Sequence, residues 1–347
     1  MSLKRILKYL GLGLLIVIVV GGIWQRELIA YGWMQLKGQL KVVNEAIPLE
    51  EFLALPETTD EQKAKVRIIQ EAKQFAFDEL GINYSENYSK IFDQQGKPSM
   101  YVVTACQPFE FRAKTWRFPV LGAFPYKGFF EREKAVEEAR RIRVLPDSLD
   151  VGLRTAGGWS TLGWLQDPVL SNMLNRSEGD LASLIIHELT HGTLFVKDSV
   201  TFNENLATFI GDAGAIRFLE KKYGKGSEEA EAYKAQIADE ERFKSYVLNA
   251  AKSLETLYGG FTDETYIEKE QQKELMIDHI ISNYDTVSFE SDRYKQVFAR
   301  NRPNNTYFMS FLRYNSQQDI LKEELDNRFN GNLMSYMEYL KTKYPSL

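Results

Sequence analysis

The feature that most constrains this chain is the run of residues 187–191, whose sequence is His-Glu-Leu-Thr-His. Residues four apart lie one above the other on a helix, so His187 and His191 project from the same face. Leu181, Ile185 and Leu189 recur at the same four-residue spacing and supply an apolar face on the opposite side. The run therefore predicts a helix that is buried along its back and carries two imidazoles along its front.

The chemistry that this pattern favours is a zinc site. Glu188 lies about 100° around the helix axis from His187, so it flanks a metal held by His187 and His191 without binding it. Two neutral nitrogen ligands beside a carboxylate form the arrangement in which zinc activates water and the carboxylate acts as general base. The alternative interpretation is two histidines that pack in a helix with a glutamate between them by chance.

A catalytic zinc requires a third protein ligand and one open coordination position. The candidates are Glu204, Asp212 and His279. We predict Glu204, because it begins the next helix after a short connection that lets this helix fold back against the first. The alternative is that Glu204 forms a capping box with Thr201 and only satisfies backbone N–H groups. We expect Asp212 to orient a histidine ligand and His279 to be a packing or surface residue.

The first 25 residues differ in character from the rest of the chain. Three basic residues precede a charge-free stretch at residues 9–25, which approaches the roughly 20 apolar residues needed to cross a bilayer as a helix. Basic residues before such a helix favour a cytoplasmic N-terminus. We therefore predict a single-pass transmembrane anchor in the inner (cytoplasmic) membrane, with residues 26–347 exported to the periplasm. A cleaved signal peptide is the alternative.

The pattern beyond the anchor predicts an α+β fold dominated by helices. Short strands are expected within residues 101–104, 116–121 and 149–154, and they predict a small antiparallel sheet that precedes the His-Glu-Leu-Thr-His helix. A capped amphipathic helix is expected over residues 59–80, and almost everything after residue 177 is helical.

This pattern also predicts a division of the exported part. Residues 26–145 hold N-terminal helices and the sheet, residues 146–222 the catalytic core, and residues 223–347 a helical C-terminal region.

Composition narrows the functional classes. The formal net charge is −5. The chain therefore lacks the excess of basic residues that is typical of nucleic-acid binding, and we expect no nucleic-acid partner. The single cysteine, Cys106, excludes an internal disulfide and a cysteine-ligated zinc knuckle. Cys106 lies in an apolar run, which predicts a buried side chain. Nothing in the sequence indicates the oligomeric state.

The region around the motif resembles a known family. The sequence GWLQDPVLSNML at residues 163–174 is followed by LIIHELTH at 184–191, FVKD at 195–198 and FNE at 202–204. In these segments the chain resembles the bacterial family of putative aminopeptidases, a branch of the gluzincin-type HExxH zinc metallopeptidases. The resemblance covers most of residues 30–320. It implies one Zn²⁺ per chain held by His187, His191 and Glu204, with Glu188 as catalytic base and a peptide as substrate.

The resemblance leaves the choice between aminopeptidase and endopeptidase open. Well-studied aminopeptidases hold the free amine of the substrate with a glutamate on the strand before the zinc helix, and residues 156–164 here contain no acidic residue. That stretch is either a strand along which a peptide binds or an ordinary edge strand or loop. Tyr307 and Tyr314 are candidates for stabilising an oxyanion.

Two functions from different classes remain. The first is a zinc-dependent hydrolase of peptide bonds. The second is a membrane-anchored binding or scaffold protein whose zinc site is structural or inactive. Glu188 distinguishes them, because a structural zinc site gains nothing from a general base and usually closes its fourth position with another ligand.

Overall fold

The computed structural model describes residues 25–118, 122–144, 149–155, 166–197, 199–314 and 318–344. Helices make up most of this part of the chain. The helices are α1 (Arg26–Glu45), α2 (Leu49–Ala54), α3 (Asp60–Glu79), α4 (Arg132–Arg143), α5 (Glu178–Thr193), α6 (Val200–Tyr223), α7 (Glu228–Gly259), α8 (Tyr266–Tyr284), α9 (Val297–Arg300), α10 (Asn305–Tyr314), α11 (Gln318–Phe329) and α12 (Leu333–Lys343), with a 3₁₀ helix at Ser171–Asn175.

The strands form three small sheets in the described part of the chain. They are β1 (Ile47–Pro48), β2 (Lys90–Phe92), β3 (Tyr101–Cys106), β4 (Trp116–Phe118), β5 (Gly122–Phe124), β6 (Lys127–Phe129), β7 (Asp150–Thr155) and β8 (Val169–Leu170). The strand orders are β1–β2–β8, β6–β3–β7 and β4–β5. All pairs are antiparallel except β2 with β8. The helix-dominated α+β class is therefore confirmed, but the expectation of one antiparallel sheet was wrong.

The longest strand pairing joins β3 to β7. It runs from Tyr101 opposite Thr155 to Cys106 opposite Asp150. Cys106 is fully buried at the end of β3, and its thiol donates to the carbonyl oxygen of Glu110 at 3.3 Å. The predicted burial of this cysteine is confirmed.

Helix α3 begins as its sequence predicts. Thr59 and Gln62 form a reciprocal capping box, in which each side chain accepts from the backbone N–H of the other, at 3.2 and 2.9 Å. The chain leaves the helix through Gly81, whose φ of +68° lies in the left-handed region that favours glycine. Helix α3 then packs against α5.

The back face of α5 lies in the main hydrophobic core. Leu181, Ile185 and Leu189 are each at most 1 % exposed, so the predicted apolar face is confirmed. Helix α6 also packs against α5. A methyl group on Gly211 of α6 would lie 2.9 Å from the carbonyl oxygen of Ser183 on α5. The two helices therefore approach closely at a position where only glycine fits without a shift.

A second hydrophobic core, which is largely aromatic, is formed mainly by the C-terminal half of the chain. Helices α7, α8 and α10 contribute most of it, and its members include Phe243, Tyr284, Phe298 and Phe308. Helix α10 also contacts β3, β7 and α6. The aromatic core therefore adjoins both the β3–β7 sheet and the helix pair that carries the motif.

The predicted transmembrane anchor requires a correction. In the described residues no helix is long and apolar enough to cross a membrane. The first described helix, α1, carries charged residues along its length, among them Arg26, Glu27, Lys37 and Lys41. Residues 1–24, which prompted the prediction, lie outside the described residues. The single-pass inner-membrane localisation and the membrane as a partner are not supported.

Candidate functional site

Three side chains converge where α5 meets α6. His187 and His191 come from α5, and Glu204 comes from the second turn of α6; their potential ligand atoms all lie within 4.8 Å of one another. The two imidazole Nε2 atoms are 3.1 Å apart. The Glu204 carboxylate oxygens lie 3.6 Å from Nε2 of His187 and 3.7 Å from Nε2 of His191. The structure therefore brings together the three predicted ligands, and two imidazoles with one carboxylate could hold a metal ion.

Glu204 does not take part in a capping box. The residue that precedes α6 is Ser199, which makes no side-chain capping bond, and Thr201 lies inside the helix. The backbone carbonyl of Thr201 accepts from the side chain of Asn205 at 2.7 Å. The alternative in which Glu204 only caps the helix with Thr201 was therefore wrong.

The connection between α5 and α6 is held by Asn203. Its side-chain amide accepts from the backbone N–H of Val196 and donates to the carbonyl oxygen of Val196, each at 2.9 Å. Asn203 is 2 % exposed. Because Asn203 directly precedes Glu204, this pair of bonds fixes the chain just before the carboxylate reaches the histidines. Sequence reasoning missed Asn203, since its partner is a backbone group that only the folded loop brings near.

The interaction between Glu204 and the histidines shifts the pKa values of Glu204 and His187. Burial would raise the pKa of Glu204, but hydrogen bonds from His187 and His191 and their positive charges outweigh it and lower this pKa to about 2. Burial would lower the pKa of His187, but the hydrogen bond to Glu204 and the nearby carboxylates outweigh it and raise this pKa. Without a metal the site therefore favours a carboxylate beside a positively charged imidazole.

Glu188 is partly buried beside this group. Burial is the main cause that raises the pKa of Glu188; the imidazoles of His187 and His191 act against it, and the negative charges of Glu204 and Asp167 add to it. Tyr88, which is 1 % exposed, interacts electrostatically with Glu188 and Asp167. A carboxyl group whose pKa is raised toward neutrality is suited to accept and return a proton.

The partners of the histidine rings differ from the expectation. The Nδ1 atom of His187 lies 3.5 Å from the hydroxyl oxygen of Thr208, one helical turn beyond Glu204 on α6. Asp212, which was expected to orient a histidine, instead accepts from the hydroxyls of Ser183 and Tyr233 at 2.7 and 2.8 Å. The hydroxyl that approaches the ring of His187 thus belongs to Thr208, one helical turn before Asp212 on α6.

The remaining predicted residues lie elsewhere. His279 is exposed on α8, where its Nε2 atom is 2.8 Å from the side-chain amide of Asn283, in agreement with the expectation of a surface residue. The ring of Tyr307 packs against Phe298 and Phe311 in the aromatic core. The side chain of Tyr314 and the stretch at residues 156–164, the candidate strand for peptide binding, lie outside the described part of the structure.

A cavity of about 280 Å³ adjoins α6 near His187. Thr208 lines it, which places one wall next to His187. Glu240 and Phe243 of α7 and Arg154 of β7 line it as well. The cavity is thus bounded by α6, the β3–β7 sheet and the aromatic core.

Comparison with known proteins gives one result that covers most of the chain. Residues 30–343 match the model of a protein family described as putative aminopeptidase. Comparisons with curated proteins and with solved structures found no match.

Proposed function

The chain belongs to the putative aminopeptidase family, which indicates a peptidase, and we propose that it hydrolyses peptide bonds with the help of one zinc ion. The family resemblance drawn from the sequence is thereby confirmed, whereas the gluzincin subclass remains part of the proposal. We assign His187, His191 and Glu204 as the zinc ligands and Glu188 as the general base.

The observation that carries the proposal is the spacing of the three ligand atoms. Zinc binds imidazole nitrogen and carboxylate oxygen at about 2.0–2.2 Å in tetrahedral sites, so two such ligands stand roughly 3.3–3.5 Å apart. The two Nε2 atoms are 3.1 Å apart, Oε2 of Glu204 lies 3.6 Å from Nε2 of His187, and Oε1 of Glu204 lies 3.7 Å from Nε2 of His191. The site contains no sulfur ligand, and two nitrogens with one oxygen form a donor set typical of catalytic zinc with one position left open.

In this proposal Glu188 transfers the protons. When bound, zinc would act as a Lewis acid that makes water easier to deprotonate. Glu188 follows His187 in the same helix, so its carboxylate is held next to the ligands without being one of them. It would accept the proton of the attacking water and pass it to the nitrogen of the leaving amine. Burial raises the pKa of Glu188, which makes its carboxylate a stronger base and so favours the first of these two transfers.

The histidine rings are oriented by the fold. Thr208 approaches the Nδ1 atom of His187 at 3.5 Å, on the side of the ring away from the ligand nitrogen. Such a contact outside the ligand set fixes which nitrogen faces the metal. The Nδ1 atom of His191 is buried and has no hydrogen-bond partner among the described residues. His187 is therefore the ring whose tautomer the protein controls more directly.

The test uses metal content and peptide cleavage together. The purified chain should contain about one zinc per molecule. It should cleave a fluorogenic peptide library, lose this activity with a chelator, and regain it when zinc is added back. A chain that holds zinc but cleaves no peptide would instead be a binding protein with a structural or inactive site. A chain that cleaves peptides equally well after complete metal removal would refute zinc dependence.

A further inference from the structure

Helix α12 is connected to the end of α5 through the short segment that follows α3. The ammonium group of Lys341 on α12 donates to the carbonyl oxygen of Gly81 at 3.0 Å. Two residues further along, the backbone N–H of Asn83 donates to the hydroxyl oxygen of Thr193 at 3.0 Å. Thr193 is the final residue of α5 and is 3 % exposed. Helix α12 therefore lies next to the point at which the chain leaves α5 toward α6.

The residue that follows α12 contacts the start of α6 directly. The ring of Tyr344 packs on the ring of Phe202, with the ring centroids 4.9 Å apart and the planes at 50°. This separation lies within the range in which aromatic rings attract each other. Phe202 belongs to the first turn of α6, two residues before the proposed ligand Glu204. The ring pair therefore joins the turn that leads to the ligand to the end of α12.

The position of α12 is set by the main hydrophobic core. Leu333, Tyr336, Met337 and Leu340 lie along one side of this helix and are each at most 1 % exposed. Because these side chains fix α12 independently of the connection between α5 and α6, the helix offers a firm support for Tyr344. The rings of Tyr344 and Phe202 both pack against the same core.

The bonds of Asn203 do not supply this support. Both of them go to Val196, which lies in the same connection, so they fix its internal shape but not its place relative to the rest of the protein. The contact of Phe202 with Tyr344 joins the connection to a helix that is distant in sequence. A carboxylate ligand binds zinc at about 2.0–2.2 Å, so a small shift of this turn would move Glu204 out of range.

We propose that Tyr344 is a positioning residue for the metal site. By holding Phe202, it keeps the first turn of α6 where the carboxylate of Glu204 completes the site formed with His187 and His191. The contact is made between two rings, so the ring of Tyr344 rather than its hydroxyl has this role. The inference rests on the proposed zinc site and adds a residue that acts on it from outside the ligand set.

The variants separate the ring contact from a general effect on the fold. Tyr344→Ala removes the ring, whereas Tyr344→Phe keeps it and removes only the hydroxyl. Phe202→Leu alters the same contact from the side of α6 and serves as a second variant should Tyr344→Ala not fold. Tyr339→Ala is the matched control, because Tyr339 is a partly buried tyrosine of α12 that packs on Phe329 of α11.

Two measurements report on the metal site without a peptide. Competition with a chromophoric chelator gives the zinc dissociation constant, and the visible absorption of the cobalt(II)-loaded protein reports the kind and number of ligands. We expect Tyr344→Ala and Phe202→Leu to weaken zinc binding by about 10-fold, the size typical of changes just outside the ligand set. Their cobalt absorption should shift toward that of Glu204→Gln. Tyr344→Phe and Tyr339→Ala should keep the affinity and absorption of wild type.

Combination with Glu204→Gln tests whether Tyr344 acts through this carboxylate. Adding Tyr344→Ala to Glu204→Gln should cause no further loss of zinc affinity, because the group that Tyr344 positions is already absent. An equal loss in the wild-type and Glu204→Gln backgrounds would overturn the proposal, since the effect would then not depend on Glu204. A chelator of low affinity keeps the weaker zinc binding of these variants measurable.

The remaining outcomes separate this inference from the proposed function. Wild-type zinc affinity and cobalt absorption in folded Tyr344→Ala and Phe202→Leu would overturn the role of Tyr344. Tyr339→Ala that weakens zinc binding as much as Tyr344→Ala would overturn it as well, and thermal unfolding of the metal-free variants checks that each is folded. A wild type that binds zinc but cleaves no peptide would refute the peptidase proposal alone, whereas a wild type that binds no zinc would overturn both.

Discussion

The side-chain amide of Asn203 holds both backbone groups of Val196, accepting from its N–H and donating to its carbonyl oxygen at 2.9 Å each. This pair of bonds closes the connection between α5 and α6. The next residue, Glu204, faces His187 and His191 at 3.6 and 3.7 Å. The position of the proposed third ligand therefore depends on an amide that does not touch the metal site.

Replacing Asn203 should weaken metal binding. Asn203→Ala removes both bonds and leaves the partly buried N–H of Val196 without its partner, which costs about 1–3 kcal/mol, whereas the carbonyl oxygen of Val196 still accepts from the N–H of Ser199 at 3.3 Å. We expect zinc affinity to fall by about 10-fold or more, because the loop no longer holds Glu204 in place. Competition with a chromophoric chelator measures this. Asn249→Ala, an exposed asparagine on α7, is the control, and equal zinc affinities for the two variants would contradict the role of Asn203.

Removing the carboxylate charge of Glu204 should remove most of the metal. Glu204→Gln retains the size of the side chain but offers a weak neutral ligand in place of an anionic one, and two histidines alone do not hold catalytic zinc. Zinc per chain, measured by mass spectrometry after dialysis, should drop from about one to well below half. Wild-type zinc content in a folded Glu204→Gln variant would show that another residue completes the site.

The metal-free protein should show a pH window of maximal stability. The pKa of Glu204 is lowered from 4.5 to about 2, so its contribution is present above pH 4.5 and is lost as the pH falls toward 2. The pKa of His187 is raised above 6.5, so its contribution is complete below pH 6.5 and is lost as the pH rises through the raised value. Both shifts describe one interaction, which is therefore strongest between pH 4.5 and 6.5.

Urea unfolding of the chelator-treated protein measures this window. Wild type should exceed Glu204→Gln in the free energy of unfolding by on the order of 2–3 kcal/mol near pH 5.5, since one pKa unit corresponds to about 1.4 kcal/mol. The difference should shrink near pH 3 and near pH 8. A difference that is the same at all three pH values would show that the Glu204–His187 interaction does not stabilise the fold.

The close approach of α5 and α6 should tolerate no side chain at Gly211. A methyl group there would lie 2.9 Å from the carbonyl oxygen of Ser183 and 3.3 Å from Cβ of His187. Gly211→Ala should lower the free energy of unfolding by about 1–3 kcal/mol, the usual cost of overpacking. Gly192→Ala is the matched control, because a methyl group at Gly192 meets nothing within 4 Å and helical alanine is favoured by up to about 1 kcal/mol. Equal stabilities for the two variants would contradict this packing.

Patterns within short stretches of the sequence correctly predicted the helices in which they lie. The spacing of His187 and His191 predicted the helix α5 and the face on which both imidazoles lie. The apolar repeat that begins at Leu181 predicted the buried side of this helix. The capped start predicted at residue 59 is the start of α3, where Thr59 and Gln62 form a reciprocal pair of bonds between residues three apart. Glu204 followed from the short connection between α5 and α6.

Contacts between distant segments were not predictable in the same way. The parallel pairing of β2 with β8 sets Ile91 opposite Val169. Strands of two or three residues are too short to show the alternation of apolar and polar residues that predicts a strand from sequence. Asp212 follows Glu204 by two helical turns, and its partners Ser183 and Tyr233 emerge only when α5 and α7 are seen to approach it. Sequence spacing carries no information about which hydroxyl groups the packing brings to this carboxylate.

Removing the basicity of Glu188 should stop cleavage while leaving the metal in place. Glu188→Gln keeps the size of the side chain, and Glu188 is beside the ligands rather than among them, so zinc content should match wild type. General acid–base catalysis is worth typically 10²–10⁴-fold, so kcat should fall at least about 100-fold, roughly 3 kcal/mol of transition-state stabilisation. KM should change little, because the carboxylate acts mainly in the transition state. Glu255→Gln, at an exposed site on α7, should cleave like wild type. Undiminished turnover by zinc-loaded Glu188→Gln would exclude this residue as the base.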